Sequence, residues 1–270
     1  MPKTPKLADQ DYLLKDQYKD TRNLDARQCL HSQYSTNKYG WQRWVFDQIV
    51  IPTNSHILEL GCGTGSLWLQ NADRVPEDWS LVLSDISSGM LKSTKKNLER
   101  LNNKIRYLVV DAQSIPFKNK VFDVVIANHM LYHVPDIKIA ISEIHRVLKS
   151  GGVLYASTTG ENHLRELRKL LQKFEPSLTL WGKNSVGLFT LENGRTQLNS
   201  IFSKTELRKY SDSLEVAEAE PLIQYILSTK VAKDGLIKNF DKFRKFVERE
   251  VKTAGKFHIT KEAGLFIATS

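Results

Sequence analysis

The sequence predicts an α/β protein built on a doubly wound, mostly parallel sheet. After residue 55, short apolar runs alternate with amphipathic stretches of helical period. The apolar runs are continuous rather than alternating, the pattern of strands covered on both faces. A third observation locates the working end. The first run leads straight into Gly61, Gly63 and Gly65, where a strand gives way to a helix.

The elements follow in order. Residues 1–54 are expected to be helical: Leu24, Arg27, Leu30, His31 and Tyr34 recur at helical spacing, and Trp41, Trp44, Val45 and Ile49 form a second apolar stripe. Strands are expected at 56–60, 81–85 (LVLSD), 105–111 (IRYLVVD), 121–128 (VFDVVIAN) and 152–158 (GVLYAST). Helices are expected between them at 64–74, 88–101 and 136–149. The last opens on Pro135-Asp136 as N-cap and stops at Gly151-Gly152 as C-cap. Each β–α–β crossover is then right-handed. Residues 160–203 read as an irregular stretch with helices. A strand at 206–216, a helix near 218–229, one basic helix over 230–256 and a last strand at 257–268 follow. The chain thus divides into a helical cap segment (1–54), a binding core (55–160) and an insert with a C-terminal part that completes the sheet (161–270), together one domain.

Composition narrows the class. The chain has 270 residues, 41% hydrophobic and 26% charged, as expected of a globular protein with a full core. No apolar run approaches the ~18–20 residues of a membrane span, and MPKTPKLADQDYLLKDQYKD lacks the apolar centre of a signal peptide. Cys29 and Cys62 are too few for a disulfide framework and lack metal-ligand spacing, so a reducing, cytoplasmic setting and no metal are expected. The formal charge is +9, and residues 230–256 alone carry nine basic and four acidic side chains. That excess reads either as a solvated helix face or as a nucleic-acid surface.

The glycine loop departs from two familiar phosphate binders. The dinucleotide fingerprint is G-x-G-x-x-G, whereas here the pattern is G-x-G-x-G with Ser66 at the last position. A Walker loop needs a lysine, and none is present. The neighbouring acids point elsewhere. Glu59, two residues before Gly61, would repel a pyrophosphate but attracts an ammonium group. Asp85 ends the next strand, where a carboxylate can accept from both hydroxyls of a ribose. Asp111 ends the third, where it can accept from an adenine amino group while the N–H of Ala112 donates to a ring nitrogen. An amine, a ribose and an adenine without phosphates describe S-adenosylmethionine.

With these motifs in hand, the chain resembles the class I S-adenosylmethionine-dependent methyltransferases, in particular the type 11 methyltransferase-domain group. The resemblance rests on HILELGCGTGSLW (56–68), LVLSDISSGML (81–91), VVDAQSIPFKNKVFDVVIANHMLYHVPD (109–136) and EIHRVLKSGGVLYAST (143–158), and covers roughly 56–160. It implies a Rossmann-like sheet of seven strands, with the two late strands forming a hairpin that is antiparallel at one edge. It also implies that Glu59, Gly61 and Gly63 contact the methionine end of the cofactor, with Cys62 between them. Asp85 would hold the ribose, Ile86 and Met90 would pack near the adenine, and Asp111 and Ala112 would read its edge. Asn128 and His129 would line the floor beside the sulfonium. In this family a segment before the first strand commonly closes over the pocket, which brings in Tyr34, Lys38 and Trp41, with Tyr34 reaching the cofactor carboxylate. Met90 reads equally as core, and Cys62 as a small packing residue rather than a nucleophile.

The implied reaction is an in-line displacement that leaves S-adenosylhomocysteine. Because the donor is already activated, the protein mainly aligns and desolvates the reactants. A base is needed only if the acceptor must lose a proton. His133 and His129 are the candidates, four residues apart beyond the fourth strand; the alternative reading of His133 is a hydrogen-bonding residue of the turn before Pro135-Asp136. The expected acceptor is a small molecule. The alternatives are RNA or another nucleic acid, against which stands ANHMLYH in place of the N/D-P-P-Y/F motif of amino-methylating enzymes, and a protein that binds the cofactor without catalysis.

Overall fold

The computed structural model describes residues 5–181 and 188–270. The first four residues of the N-terminal segment, and 182–187 of the expected 160–203 stretch, lie outside the described residues. The backbone forms two compact units, each drawn from three stretches of chain. One contains residues up to 40, 161–181 and 211–262, and the other 41–160, 188–210 and 263–270. The helical segment before the first strand is therefore shared: a turn at Gln10–Tyr12 (α1) and the helix Arg22–Tyr34 (α2) belong to the first unit, and Trp41–Gln48 (α3) to the second.

The second unit carries the sheet. Its strands are His56–Leu60 (β1), Ser80–Asp85 (β2), Lys104–Val109 (β3), Phe122–Asn128 (β4), Leu148–Thr159 (β5), the early part of Lys204–Val216 (β6) and the late part of Phe257–Thr269 (β7). Strand order is β3-β2-β1-β4-β5-β7-β6. The pairs β2–β3, β1–β2, β1–β4 and β4–β5 are parallel and β5–β7 is antiparallel. This is the expected mixed sheet, with β6 lying outside the antiparallel strand.

Period two explains its burial. On β1 and β4, Leu58, Leu60, Val125 and Ala127 join a cluster with Ile141 and Ile144, while Ile57, Val124 and Ile126 join another with Val45 and Trp68. Both faces are thus dry, and the strands read as unbroken apolar runs. The intervening helices are Ser66–Leu69 (α4), Ser88–Asn97 (α5) and Ile137–Val147 (α6). Asp136 caps α6 by accepting from the Ile139 N–H at 3.1 Å, as expected.

Two helix ends differ from expectation. The helix expected over 64–74 stops at Leu69, because the Asn71 side chain donates to the Leu67 carbonyl at 2.8 Å, competing with the helical ladder. Helix α6 stops at Val147 rather than at the glycine pair. Leu148 is already extended and pairs with Phe122, whereas Val124 pairs with Val153. Two steps along β4 thus face five along β5, and Gly151, at φ +74°, serves this bulge instead of a C-cap.

The first unit packs α2 with Arg165–Phe174 (α7), Ala219–Leu227 (α9), Lys230–Leu236 (α10) and Phe240–Ala254 (α11); the short helix Gly194–Asn199 (α8) belongs to the sheet unit. Leu30, Leu167, Leu171, Leu222, Phe243 and Val247 are fully buried together. The basic segment is two helices rather than one, broken at residues 237–239, where Asn239 leaves helical geometry at φ −126°, ψ 20°. Burial would hold the Asp212 carboxyl protonated, but it pairs with the buried Lys261 and accepts from Ser35 Oγ (2.5 Å) and the Asn37 N–H (3.0 Å), which hold its pKa below the usual range.

Candidate functional site

Strand order reverses between β1 and β4, since β2 follows on one side of β1 and β4 on the other. The carboxyl ends that flank such a switch point form a crevice. Register places the residues level: Glu59 pairs with Leu83 and with Ile126, so Gly61 stands beside Asp85 on one side and Asn128 on the other.

The loop after β1 is shaped by its glycines. Gly61, Gly63 and Gly65 all adopt positive φ, at 67°, 57° and 76°. At Gly61 a Cβ would sit 2.7 Å from the Met130 Cβ, so the β1 and β4 loops meet where only hydrogen fits. Helix α5 clamps the other side: Thr94 Oγ1 donates to the Gly63 carbonyl at 2.6 Å, and Asn97 Nδ2 to the Thr64 carbonyl at 2.9 Å. Cys62 is buried, 3.6 Å from Thr94 Oγ1, and burial together with the Glu59 and Asp85 carboxyls pushes its thiol well above the usual range. It is held as a thiol, unsuited to nucleophilic attack.

The acids occupy two kinds of site. Glu59 is only 2% exposed and accepts from the Trp68 indole N–H at 2.6 Å. Burial raises its pKa to about 7, opposed by the indole bond and assisted by Asp85. Asp85 accepts from the Gly63 N–H at 3.0 Å and the Ser87 N–H at 2.8 Å, one on each oxygen, and burial raises it to about 6 despite them. The Ile86 N–H lowers it as well, and the carboxylate still has accepting capacity for a hydroxyl. Among the described residues neither carboxylate has a Lys or Arg within ion-pair distance.

Asp111 does not end the third strand as expected: β3 stops at Val109. Asp111 lies in a turn closed by Ser114 N–H to its carbonyl (2.9 Å), and its carboxylate accepts from Gln113 N–H at 2.9 Å. The turn stays beside Asp85, whose carbonyl accepts from Val110 at 3.2 Å, and Ala112 is buried. Gln113 also accepts from Asp136 N–H at 3.0 Å, tying the turn to the start of α6. Farther along, Glu143 accepts from Ile115 N–H and binds Arg146, which itself donates to the Ile115 and Phe117 carbonyls. Replacing Glu143 by alanine is expected to cost about 2 kcal/mol, the worth of a charged hydrogen-bond pair, read as a lower urea midpoint; Glu143→Gln should cost about half of that.

Beyond β4, Asn128 is engaged through both the oxygen and the nitrogen of its amide. Its Oδ1 accepts from Trp41 Nε1 (3.2 Å) and Ser157 Oγ (2.6 Å), and its Nδ2 donates to Gln42 Oε1 (3.0 Å). His129 follows at φ +55°, its N–H held by Ser157 Oγ at 2.8 Å and its ring 4.8 Å from Trp41. His133 closes a 3-10 turn, Leu131–His133, with its ring edge-on to Tyr132 at 4.6 Å.

The structure thus gathers Glu59, Gly61, Cys62, Gly63 and Asp85, with Ile86 half-buried and Met90 fully buried behind them. Tyr34 and Lys38 belong to the other unit, where Tyr34 faces Glu218 and Lys38 donates to the Gln33 carbonyl at 3.3 Å. Sequence reasoning missed Gln42, Thr94 and Ser157. Only Ser157 left a signal, a polar residue closing the apolar run GVLYAST.

Three left-handed glycines beside two buried carboxyls suit a ligand with a cationic group and paired hydroxyls. Residues 58–156 match the family described as the methyltransferase domain. The core of this chain is a class I methyltransferase domain. Its relatives include a demethylmenaquinone methyltransferase of Symbiobacterium thermophilum, 34% identical over 50% of this chain and 53% of that protein. A malonyl-[acyl-carrier protein] O-methyltransferase of Hamiltonella defensa is 33% identical over 45% of this chain and 44% of that protein. The chain therefore matches about half the length of these curated relatives. Phosphoethanolamine N-methyltransferase 2 of Haemonchus contortus, solved in complex with S-adenosyl-L-methionine, superposes with a TM-score of 0.58 at 19% identity, over 97% of this chain and 59% of that one. At that identity the likeness to the methyltransferase domain is one of fold. Among the described residues no helix is long and apolar enough to cross a membrane.

Proposed function

We propose that the chain transfers a methyl group from S-adenosylmethionine to a small-molecule acceptor, leaving S-adenosylhomocysteine. The observation that carries this is the union, at one switch point, of the glycine cradle with the buried Glu59 and Asp85. Glu59 supplies negative potential for the ammonium end, and Gly61, Cys62 and Gly63 let the backbone approach it. Asp85 accepts from the ribose hydroxyls. Asp111 and Ala112 read the adenine edge, with Ile86 and Met90 against its ring. The bound sulfonium supplies an electrophilic methyl group.

The chain's remaining work is to orient and dry the acceptor. Asn128 and His129 border the place of transfer. Of the two histidines, His129 has the stronger support as the group facing the acceptor, because Ser157 fixes its backbone and Trp41 its ring. The names of the relatives, one for malonyl-carrier O-methylation and one for demethylmenaquinone, support a small acceptor without specifying which.

Incubation with methyl-labelled S-adenosylmethionine and a cell extract tests this. Label is expected in the small-molecule fraction, and Asp85→Ala should abolish it. Label in RNA, DNA or protein would overturn the acceptor class. Intact cofactor binding with no label in any fraction would favour a sensor.

A further inference from the structure

The first unit carries a charged surface that methyl transfer does not use. On α11, Phe243, Val247 and Val251 face the core. Lys242, Lys245, Arg249 and Lys252 recur at spacings of three, four and three, so they share one outward face about 15 Å long. Lys238 and Lys256 extend the row past both ends of the helix. Lys238, Lys242, Lys245, Lys252 and Lys256 are all exposed and form no ion pair with a described residue. Of the nearby acids, Glu220 binds Arg244 and Glu250 binds Lys173 at 2.6 Å, while Asp241 and Glu248 are exposed on the helix beside the row. Like charges three and four residues apart destabilise a helix, and against the six basic residues of the row Asp241 and Glu248 offset the charge only in part.

A second observation says what the row meets. Ile237, in the turn between α10 and α11, is 71% exposed beside Lys238, while its neighbour Leu236 is fully buried. A nucleic acid would use flat aromatic faces for its bases, but here those faces are taken. Arg244 covers Phe240 at 5.2 Å, and Arg249 and Lys173 cover Phe246 at 5.5 and 5.9 Å. An outward aliphatic residue within a lysine row suits the boundary between head groups and acyl chains. We infer that this face of α11 docks on an anionic lipid bilayer, the lysines meeting phosphate head groups and Ile237 entering the interface. The inference is independent of the methyl-transfer reading.

Co-sedimentation of the full chain with vesicles tests it. Binding is expected to phosphatidylcholine vesicles that contain phosphatidylglycerol and not to phosphatidylcholine alone, and salt at about 0.5 M should abolish it by screening. Lys242→Gln and Lys245→Gln should each weaken binding about fivefold. Ile237→Ser should weaken it further, with an unchanged circular dichroism spectrum. Absence of binding to the anionic vesicles at low salt would overturn the proposal, as would binding indifferent to the lysine variants. Tighter binding of a single-stranded oligonucleotide, lost in the lysine variants and unaffected by Ile237→Ser, would assign the face to nucleic acid instead.

Discussion

Replacing Gly61 by valine is expected to lower affinity for S-adenosylhomocysteine by at least about tenfold, the effect of each ~1.4 kcal/mol lost from binding. Two costs arise together. At φ +67° any residue with a Cβ pays about 1–2 kcal/mol for left-handed geometry. That Cβ would also stand 2.7 Å from the Met130 Cβ and 3.0 Å from its Cγ. Met130 cannot swing aside at its first side-chain atom, since the preceding residue is His129, fixed at φ +55° by Ser157. The β1 and β4 loops must separate, widening the crevice between them. Gly151→Ala is the control: its φ is +74°, but nothing lies within 4 Å of the added carbon. It should lose about 1 kcal/mol of stability and bind as the wild type does. Calorimetric titration beside urea denaturation separates the two costs. Undiminished binding by Gly61→Val would remove the glycine loop from the cofactor site.

Glu59→Gln should have the opposite effects on stability and on binding. In the folded chain Glu59 titrates near 7 rather than at its ordinary 4.5, and Asp85 near 6 rather than 3.8, both through burial. Between about pH 4 and pH 7 the native protein therefore holds protons that the unfolded chain has released, and stability falls as pH rises through that window. At pH 8, Glu59 alone costs the ligand-free protein about 3 kcal/mol, since a tenfold change in proton affinity is worth about 1.4 kcal/mol. Glutamine keeps an oxygen for the Trp68 indole and removes the charge, so it should raise the urea midpoint at pH 8 and change little at pH 4. Its affinity for S-adenosylhomocysteine should fall about tenfold or more, the worth of a buried charge facing an ammonium group. In the wild type, binding below pH 7 must expel the Glu59 proton, so affinity should rise with pH until about 7, with proton release visible when buffers of different ionisation heat are compared. A Glu59→Gln protein that is less stable at pH 8 and binds normally would make Glu59 a structural partner of Trp68 only.

The middle of the sheet was legible in the sequence because β1, β2 and β4 are buried on both faces and write themselves as unbroken apolar runs. Glu59, Asp85 and the three glycines were legible because their chemistry is tied to strand ends. Helix ends were less so. Asn71 stops α4 through a side-chain bond to Leu67, and Gly151 reads as a C-cap in sequence although it shapes a bulge. The knot around Asn128 was invisible for another reason. Trp41, Gln42 and Ser157 lie 87, 86 and 29 residues away from it in the chain, and no local pattern announces such partners. Nor could charge counting distinguish the outward row on α11 from the paired Arg244 beside it.

Each compact unit is stitched from three separate stretches of chain. Strand β7 is made after both β5 and β6, yet it lies between them in the sheet. On the ribosome, β5 is therefore left with an unpaired edge from its own synthesis until residues 263–269 emerge more than a hundred positions later. That edge is a template for wrong pairing, and domains whose pairings close late are slow to fold and prone to aggregate. A nascent chain stalled before residue 263 should accordingly remain protease-sensitive in the very part that carries the crevice, and gain resistance in a single step once the last strand slides into place.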